Sequence, residues 1–430
     1  MTQIGSPNRK PTVFLLFFAG VLIAFLCLSV IFTYSSSDPI HAHSRSRSTD
    51  TCKCAGNDEN PPPGFNLGFD PPVLTFYDDP SFGYTFDTPV KNWDKKRRQW
   101  LTLHPSFVSG SEERIFLVTG SQSQPCRNPK GDHFLLRFYR NKVDYSRIHG
   151  YDIFYNNVLL DPKMVGCWAK LSAVRAAMLA HPEAEWIWWI DEDAAFTDMD
   201  FKVPLERYKD RNFVVHGWPR EVYEEKNWLG LNAGSFLVRN CQWSLDFLDA
   251  WADMGPQSKN HEKWEKILWK TFKHGADDQT ALAYLLVKEK EDNLRSKVHI
   301  EIEYYLEGYW VVIKDTLKNI TDKYAEIEKR EKVLRRRHAE LVSEAYAKLW
   351  EPHLKDAGYG YGSWRRPFVT HFAGCQPCSG KNNPAFSRES CWEAMDKVLN
   401  YADNQVLRNY GFTHPDLSNP SVVTPLSFRH

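Results

Sequence analysis

The chain has 430 residues, and its 54 basic side chains balance 54 acidic ones, so the charge total points to no nucleic-acid partner. Trp 16, Tyr 19 and Phe 26 make it rich in aromatic rings, which build cores first but also stack on the apolar faces of sugars. The length suits one membrane anchor and one or two globular domains.

Residues 12–34 carry no charge, and 14–32 are almost wholly apolar. These 23 residues, at about 1.5 Å each, reach about 35 Å, enough for a bilayer core of about 30 Å. Arg9 and Lys10 precede the stretch and favour a cytoplasmic N-terminus; Arg45 and Arg47 weaken that bias without reversing it. A cleaved signal peptide would usually carry a shorter apolar core. The expected order is a cytoplasmic tail (1–11), a single transmembrane signal-anchor (12–34), a luminal stem (35–110) and a globular domain (111–430). The stem is polar and proline-punctuated, with Ser35 to Ser37, Arg-Ser repeats and Pro61 to Pro63. Its aromatic residues, Phe76, Trp93 and Trp100, imply that its later part packs on the domain.

Apart from Cys27 inside the anchor, the nine cysteines would meet an oxidising lumen, where disulfides are expected in a pairing the sequence does not reveal. Cys375 and Cys378 form a CxxC, but no second pair completes a zinc site. Asn319-Ile-Thr321 is a proline-free sequon and a glycosylation candidate.

From residue 115 the chain alternates. Strands are expected at 115–118, 151–155 and Trp186–Ile190, with helical spacing at 134–149 and 168–180, which is half of a doubly wound sheet. Trp186–Ile190 is uninterruptedly apolar and reads as a strand buried on both faces of a mostly parallel sheet. It ends at once in Asp191, Glu192 and Asp193, where open α/β sheets place ligands. Two aspartates one residue apart can hold a divalent cation that in turn holds a diphosphate. The bland alternative is an acidic helix cap, and a second Asp-x-Asp stands at Asp198 and Asp200. Thr119, Gly120, Ser121 and Asn156 should converge on the same edge, as ligand contacts or as ordinary turn residues.

A further strand is expected at 213–216, and the glycines around Asn232 in the 230–238 strand would let backbone approach a ligand or simply form a turn. Residues 240–251 look helical, and Asp277-Asp278-Gln279 precedes a helix at 280–287, where carboxylates also suit the helix dipole. Residues 324–350 read as a solvated helix or helical hairpin, and the basic run at 335–338 within it is a surface feature. A last strand is expected at 367–372, ending near His371.

Taken together, these stretches resemble one family. They are Trp186-Ile-Trp-Trp-Ile-Asp, HisGlyTrp at 216–218, GlyLeuAsnAlaGly at 230–234, ArgAsnCysGlnTrpSerLeuAsp at 239–246, AspAspGlnThrAla at 277–281 and ThrHisPheAlaGlyCysGlnProCys at 370–378. The chain is similar, over about residues 70–415, to the plant glycosyltransferases that decorate hemicelluloses, among them galactomannan α-1,6-galactosyltransferases and xyloglucan α-1,6-xylosyltransferases. The resemblance implies a GT-A-like, Rossmann-type open α/β sheet with flanking helices and a type II Golgi membrane anchor. It also implies a UDP-sugar donor, Mn²⁺, retention of anomeric configuration and a hemicellulose acceptor, with homo- or hetero-oligomers with other glycosyltransferases as a further expectation.

Residue by residue, the resemblance makes Asp191, Asp193 and His371 the metal ligands, a donor set that suits Mn²⁺. It puts Gln279 near the anomeric carbon and Asp277 and Asp278 on the sugars. The donor is assigned to Thr119, Gly120, Ser121, Asn156, Lys170, Asp191, Asn232, Ala233, Gly234 and Gln376. Glu192 departs from the family's usual serine. Ala233, where the xylosyl branch has threonine, Gln376, where it has lysine, and the charged 324–350 segment all lean towards UDP-galactose and mannan rather than UDP-xylose and glucan. Ala233 is expected to leave room for the hydroxymethyl group of galactose. Same-face transfer is favoured over a covalent route through Asp277 or Asp278, because the amide of Gln279 is a poor nucleophile. A non-catalytic sugar-binding subunit is the competing class, with Glu192 as its best argument; a hydrolase lacks the paired acid and base it would need.

Overall fold

The computed structural model describes residues 79, 82–83 and 85–426, apart from 109, 111–112, 289–291, 336–339, 361 and 380. The expected tail, the anchor at 12–34, the stem before residue 79 and part of the basic run at 335–338 lie outside the described residues. Among those described, no helix is long and apolar enough to cross a membrane.

The helices of eight or more residues are α1 Trp93–Leu103, α2 Pro129–His149, α3 Ala169–Ala180, α4 Gln242–Ala252, α5 His261–Phe272, α6 Asp278–Lys288, α7 Leu317–Arg330, α8 Ser343–Trp350 and α9 Arg388–Tyr410. The strands that matter for the site are β1 Ile115–Gly120, β2 Asp152–Asn156, β3 Trp186–Ile190, β4 Ala194–Phe196, β5 Phe213–Gly217, β6 Leu231–Arg239, β7 Val298–Glu301, β8 Gly308–Tyr309 and β9 Val369–His371.

A six-stranded sheet has the order β2-β1-β3-β6-β5-β7. Its β1-α2-β2-α3-β3 half is parallel and wound as the alternation predicts. The sheet as a whole is mixed, because β6 runs antiparallel to both β3 and β5. The other strands all run one way, so the expectation of a mostly parallel sheet holds, with β6 as the exception.

All five residues of β3 are buried, and their alternation feeds two apolar layers. Ile187 and Trp189 join Leu171, Val174 and Met178 of α3 on one face. Trp186 and Trp188 join Tyr145 of α2 and Val406 of α9 on the other. A second sheet, β4-β9-β8, begins only three residues after β3, at the far side of Asp191, Glu192 and Asp193.

The described part of the stretch before residue 111 packs on the domain through α1. Trp93 in α1 is fully buried in the core, and its indole N–H donates to Asn240 Oδ1 at 2.8 Å. The 324–350 stretch is not one solvated helix. It divides into α7 and α8 around short 3₁₀ turns, and Tyr324, Ile327, Leu334 and Trp350 are buried in a core cluster. Charges dominate its composition, but its apolar residues form a buried stripe. The long helix α9 has no counterpart among the expected elements, although its caps are legible: Ser387 accepts from the Ser390 N–H, and Gly411 ends the helix at φ 87°.

Replacing Trp93 with alanine removes a fully buried ring and takes the donor from Asn240 Oδ1. We expect Trp93→Ala to lose about 3–5 kcal/mol of stability in denaturant unfolding. A loss below about 1 kcal/mol would mean that α1 is a detachable part of the stem.

Candidate active site

The acidic loop is placed by two sheets. At the end of β3 the Asp191 N–H donates to the Gly234 carbonyl at 2.7 Å, which ties the loop to β6. Three residues on, β4 pairs antiparallel with β9 and sets Ala194 opposite His371. The Phe372 N–H donates to the Asp193 carbonyl at 3.1 Å. This pairing brings His371 Nε2 to 3.2 Å from Asp193 Oδ1 and 3.8 Å from Asp191 Oδ2. The three candidate ligand atoms lie within 4.8 Å of one another. Gly234 makes the approach possible: a Cβ there would stand 2.4 Å from His371 Cε1, so any side chain would displace the ring.

On its other side His371 Nδ1 lies 2.8 Å from Glu307 Oε1. Burial disfavours the imidazolium, but Asp193 and Glu307 outweigh it and hold the ring's pKa well above its ordinary value. The Asp193 carboxyl is held below its ordinary value for the reciprocal reason, with burial opposing and His371 prevailing. The two carboxylates and the imidazole so grouped would suit a divalent cation such as Mn²⁺, the donor set the resemblance assigned.

Beneath the loop lie two buried ammonium groups. Lys170 Nζ sits 3.0 Å from Asp191 Oδ1, 2.8 Å from Asp278 Oδ2 and 3.1 Å from the Ala233 carbonyl. Burial opposes its charge, yet Asp191 and Asp278 keep it firmly protonated. Lys142 donates to the carbonyls of Glu192 at 3.0 Å and Ala194 at 2.6 Å. Burial lowers its pKa to about 7 against the pull of the neighbouring carboxylates. Neither Lys142 nor Glu307 stood out in the sequence. Both lie far along the chain from the acidic loop, and no local pattern marks them.

A cavity of about 540 Å³ opens beside the loop, lined among others by Gly120, Ser121, Asn156, Lys170, Asp191, Glu192, Asp193 and Gln376. The strand-end residues therefore do converge, as expected. Gly120 packs directly on the Asn156 backbone. Thr119 lies one residue behind, fully buried and away from the cavity wall. Gln376 stands on a loop stapled by Cys375–Cys391 and Cys126–Cys378, so each half of the CxxC is spent in a disulfide with a distant cysteine. Cys167 and Cys241 are free thiols.

The remaining assigned residues cluster behind Asp191. Gln279 Oε1 accepts from the Ala233 N–H at 3.2 Å and its Nε2 donates to the Trp228 carbonyl at 3.3 Å. Asp277 Oδ1 accepts from the Thr280 N–H at 2.6 Å, the helix-capping role that was its bland reading. Asn232 Oδ1 accepts from the Gly234 N–H at 2.7 Å and shapes the turn beside His371. The expectation for Ala233 needs correction. Its methyl is buried in the core cluster with Ala281 and Leu282 of α6 and does not line the cavity. Its backbone N–H is bound to Gln279 and its carbonyl to Lys170.

Glu192 is half-buried, and its Oε2 has no hydrogen-bond partner among the described residues. Burial, with Asp193 and Asp191 adding to it, pushes its carboxyl up to about 7 from 4.5. The folded chain thus keeps a proton that the unfolded chain has released, and this side chain makes metal-free stability fall as pH rises from about 4.5 to about 7. Glu192→Gln should therefore unfold at a higher temperature than wild type at pH 8 in chelator, with the gap narrowing towards pH 4.5. A gap that does not vary with pH would contradict the shift.

An acidic loop at the carboxyl end of β3 and a histidine at the end of β9 thus meet beside a cavity of about 540 Å³. Residues 111–382 match the galactosyl transferase GMA12/MNN10 family, and the chain belongs to that family of glycosyltransferases. It is 50% identical to putative glycosyltransferase 7 of Arabidopsis thaliana over 437 residues, covering 100% of this chain and 95% of that one. It is 51% identical over 445 residues to galactomannan galactosyltransferase 1 of Cyamopsis tetragonoloba, covering 100% and 99%. With xyloglucan 6-xylosyltransferase 1 of Arabidopsis thaliana the identity is 46% over 346 residues, 79% of this chain and 67% of that one. The resemblance to the plant hemicellulose glycosyltransferases holds, and the protein is an enzyme of that class.

Proposed function

We propose that the protein is a metal-dependent, retaining glycosyltransferase of GT-A type that moves galactose from UDP-galactose in α-1,6 linkage to a mannan backbone. The observation that carries this reading is the grouping of Asp191, Asp193 and His371 at a 540 Å³ cavity. The likeness to a galactomannan galactosyltransferase along the whole chain supports the choice of sugar. Mn²⁺ bound by those three residues would stabilise negative charge on the departing diphosphate.

In the reaction the bond from the anomeric carbon to UDP breaks and a bond to the acceptor hydroxyl forms. The acceptor proton passes to the leaving phosphate oxygen. The protein's share is positioning and charge. Lys170 holds Asp191 and Asp278 in a fixed arrangement. Asp278 is engaged by that ammonium and Asp277 by the helix end, so neither is a free nucleophile, which favours transfer on one face. The amide of Gln279, clamped between Ala233 and Trp228, offers a neutral dipole for the charge that develops on the sugar.

Transfer of xylose from UDP-xylose to a glucan is the second reading, supported by the 46% identity to a xylosyltransferase. Competition between both donors over manno- and cello-oligosaccharides separates the two. We expect galactose on the manno series, lost on chelation and restored by Mn²⁺. Some use of UDP-xylose should remain, because one small group is worth only about 1–3 kcal/mol. Strict xylose transfer to the cello series would overturn the choice.

We place the enzyme in the Golgi as a type II protein, on the uncharged stretch at 12–34 behind Arg9 and Lys10. Asn319 is exposed on the first turn of α7, where a glycan would meet no obstacle. In sealed vesicles an N-terminal tag should be digested by added protease, while endoglycosidase should shift the wild type but not Asn319→Gln. A protected tag would overturn this topology.

A further inference from the structure

We propose that Glu307 is the positioning residue of the metal site: it sets the tautomer and orientation of His371. This rests on the reading of Asp191, Asp193 and His371 as cation ligands. A neutral imidazole can give one nitrogen to a cation only if the other carries the proton, and the group facing that second nitrogen decides which is which. Here the decision is made by geometry. Glu307 Oε1 lies 2.8 Å from His371 Nδ1, and the two side chains are only 5% and 7% exposed. A buried carboxylate at that distance accepts the Nδ1 proton, so a cation would be bound through Nε2, the nitrogen that faces Asp193 and Asp191.

The backbone holds Glu307 in place. It immediately precedes β8, which runs parallel to β9 with Gly308 opposite Thr370 and Tyr309 opposite His371. The same β9 is paired on its other edge with β4, which follows directly from Asp193. The three-stranded sheet therefore sets one carboxylate just before β4, the imidazole in β9 and the orienting carboxylate just before β8. With Gly234 closing one face of the ring, the imidazole has little freedom to turn. Glu307 is thus placed to act on the cation through His371.

The test is Mn²⁺ affinity of the full chain purified in detergent, read from the electron paramagnetic resonance of free Mn²⁺. Thermal unfolding in chelator accompanies it, so that folding and binding are read apart. Glu307→Ala should bind Mn²⁺ about 100-fold more weakly than wild type. Glu307→Gln keeps an acceptor oxygen for Nδ1–H but no charge, and should lose about 10-fold. If Glu307→Ala does not fold, the Gln variant carries the test alone. A merely structural role would lower the unfolding temperature in chelator and leave Mn²⁺ affinity unchanged. Either folded variant binding Mn²⁺ as tightly as wild type overturns the proposal. Failure of wild type itself to bind Mn²⁺ overturns instead the cation site on which it rests.

Discussion

The buried ammonium of Lys170 joins three parts of the molecule that share no local sequence. Asp191 ends β3, the Ala233 carbonyl belongs to β6, and Asp278 opens α6; all three lie within 3.1 Å of one nitrogen. A charge taken out of water is costly unless it is paired and hydrogen-bonded, so these partners are bound to one another through it. Without Lys170, two carboxylates would face each other across the floor of the site. With it, Asp191 and Asp278 are both held to one ammonium, and the β6 backbone that carries Gly234 is drawn in. Trp189 adds to this by donating its indole N–H to Asp191 at 2.6 Å.

Above that floor, the small sheet does what the large one cannot. The six-stranded sheet delivers Asp191 and the cavity edge, but no strand of it bears His371. The chain leaves β3, turns through the three acidic residues and starts β4 in a different sheet, so Asp193 and His371 meet by strand register. Register is exacting, since a slip of one residue turns every side chain to the opposite face. Glu192, between the two aspartates, is the loop's strained member electrostatically: half-buried, with one oxygen unpartnered among the described residues. The Lys142 ammonium close beneath it offsets part of that concentration of negative charge.

The outer wall of the cavity depends on covalent ties. Loop 375–379 would be a poorly anchored connection on hydrogen bonds alone. Cys375 fastens it to α9 through Cys391, and Cys378 fastens it to the segment before α2 through Cys126. Asn128 caps α2 and also donates to the carbonyls of Pro377 and Cys378 at 3.3 and 3.2 Å. Gln376 is thereby presented to the cavity from a loop with both flanks held.

What was legible in the sequence was local. The apolar run Trp186–Ile190 and the carboxylates that follow it announced a buried strand with an acidic loop at its end, because hydrophobic period and an abrupt change of polarity need no distant neighbour to be read. The β1-α2-β2-α3-β3 alternation was legible for the same reason, and the family motifs carried His371 and Lys170 into the site. Other features were decided only in three dimensions. The antiparallel course of β6 depends on which strand it pairs with, and alternation does not encode that. Ala233 looked like a pocket residue, but the irregular pairing of β6 with β5 around Val215 and His216 leaves its methyl in the core. Glu307 and Lys142 are single polar residues in unremarkable surroundings, and they gain meaning only when the β8–β9 pairing and the packing of α2 set them beside the metal loop. Local periodicity determined the elements and the acidic motif; long-range strand pairing and the need to pair every buried charge decided which residues complete the site.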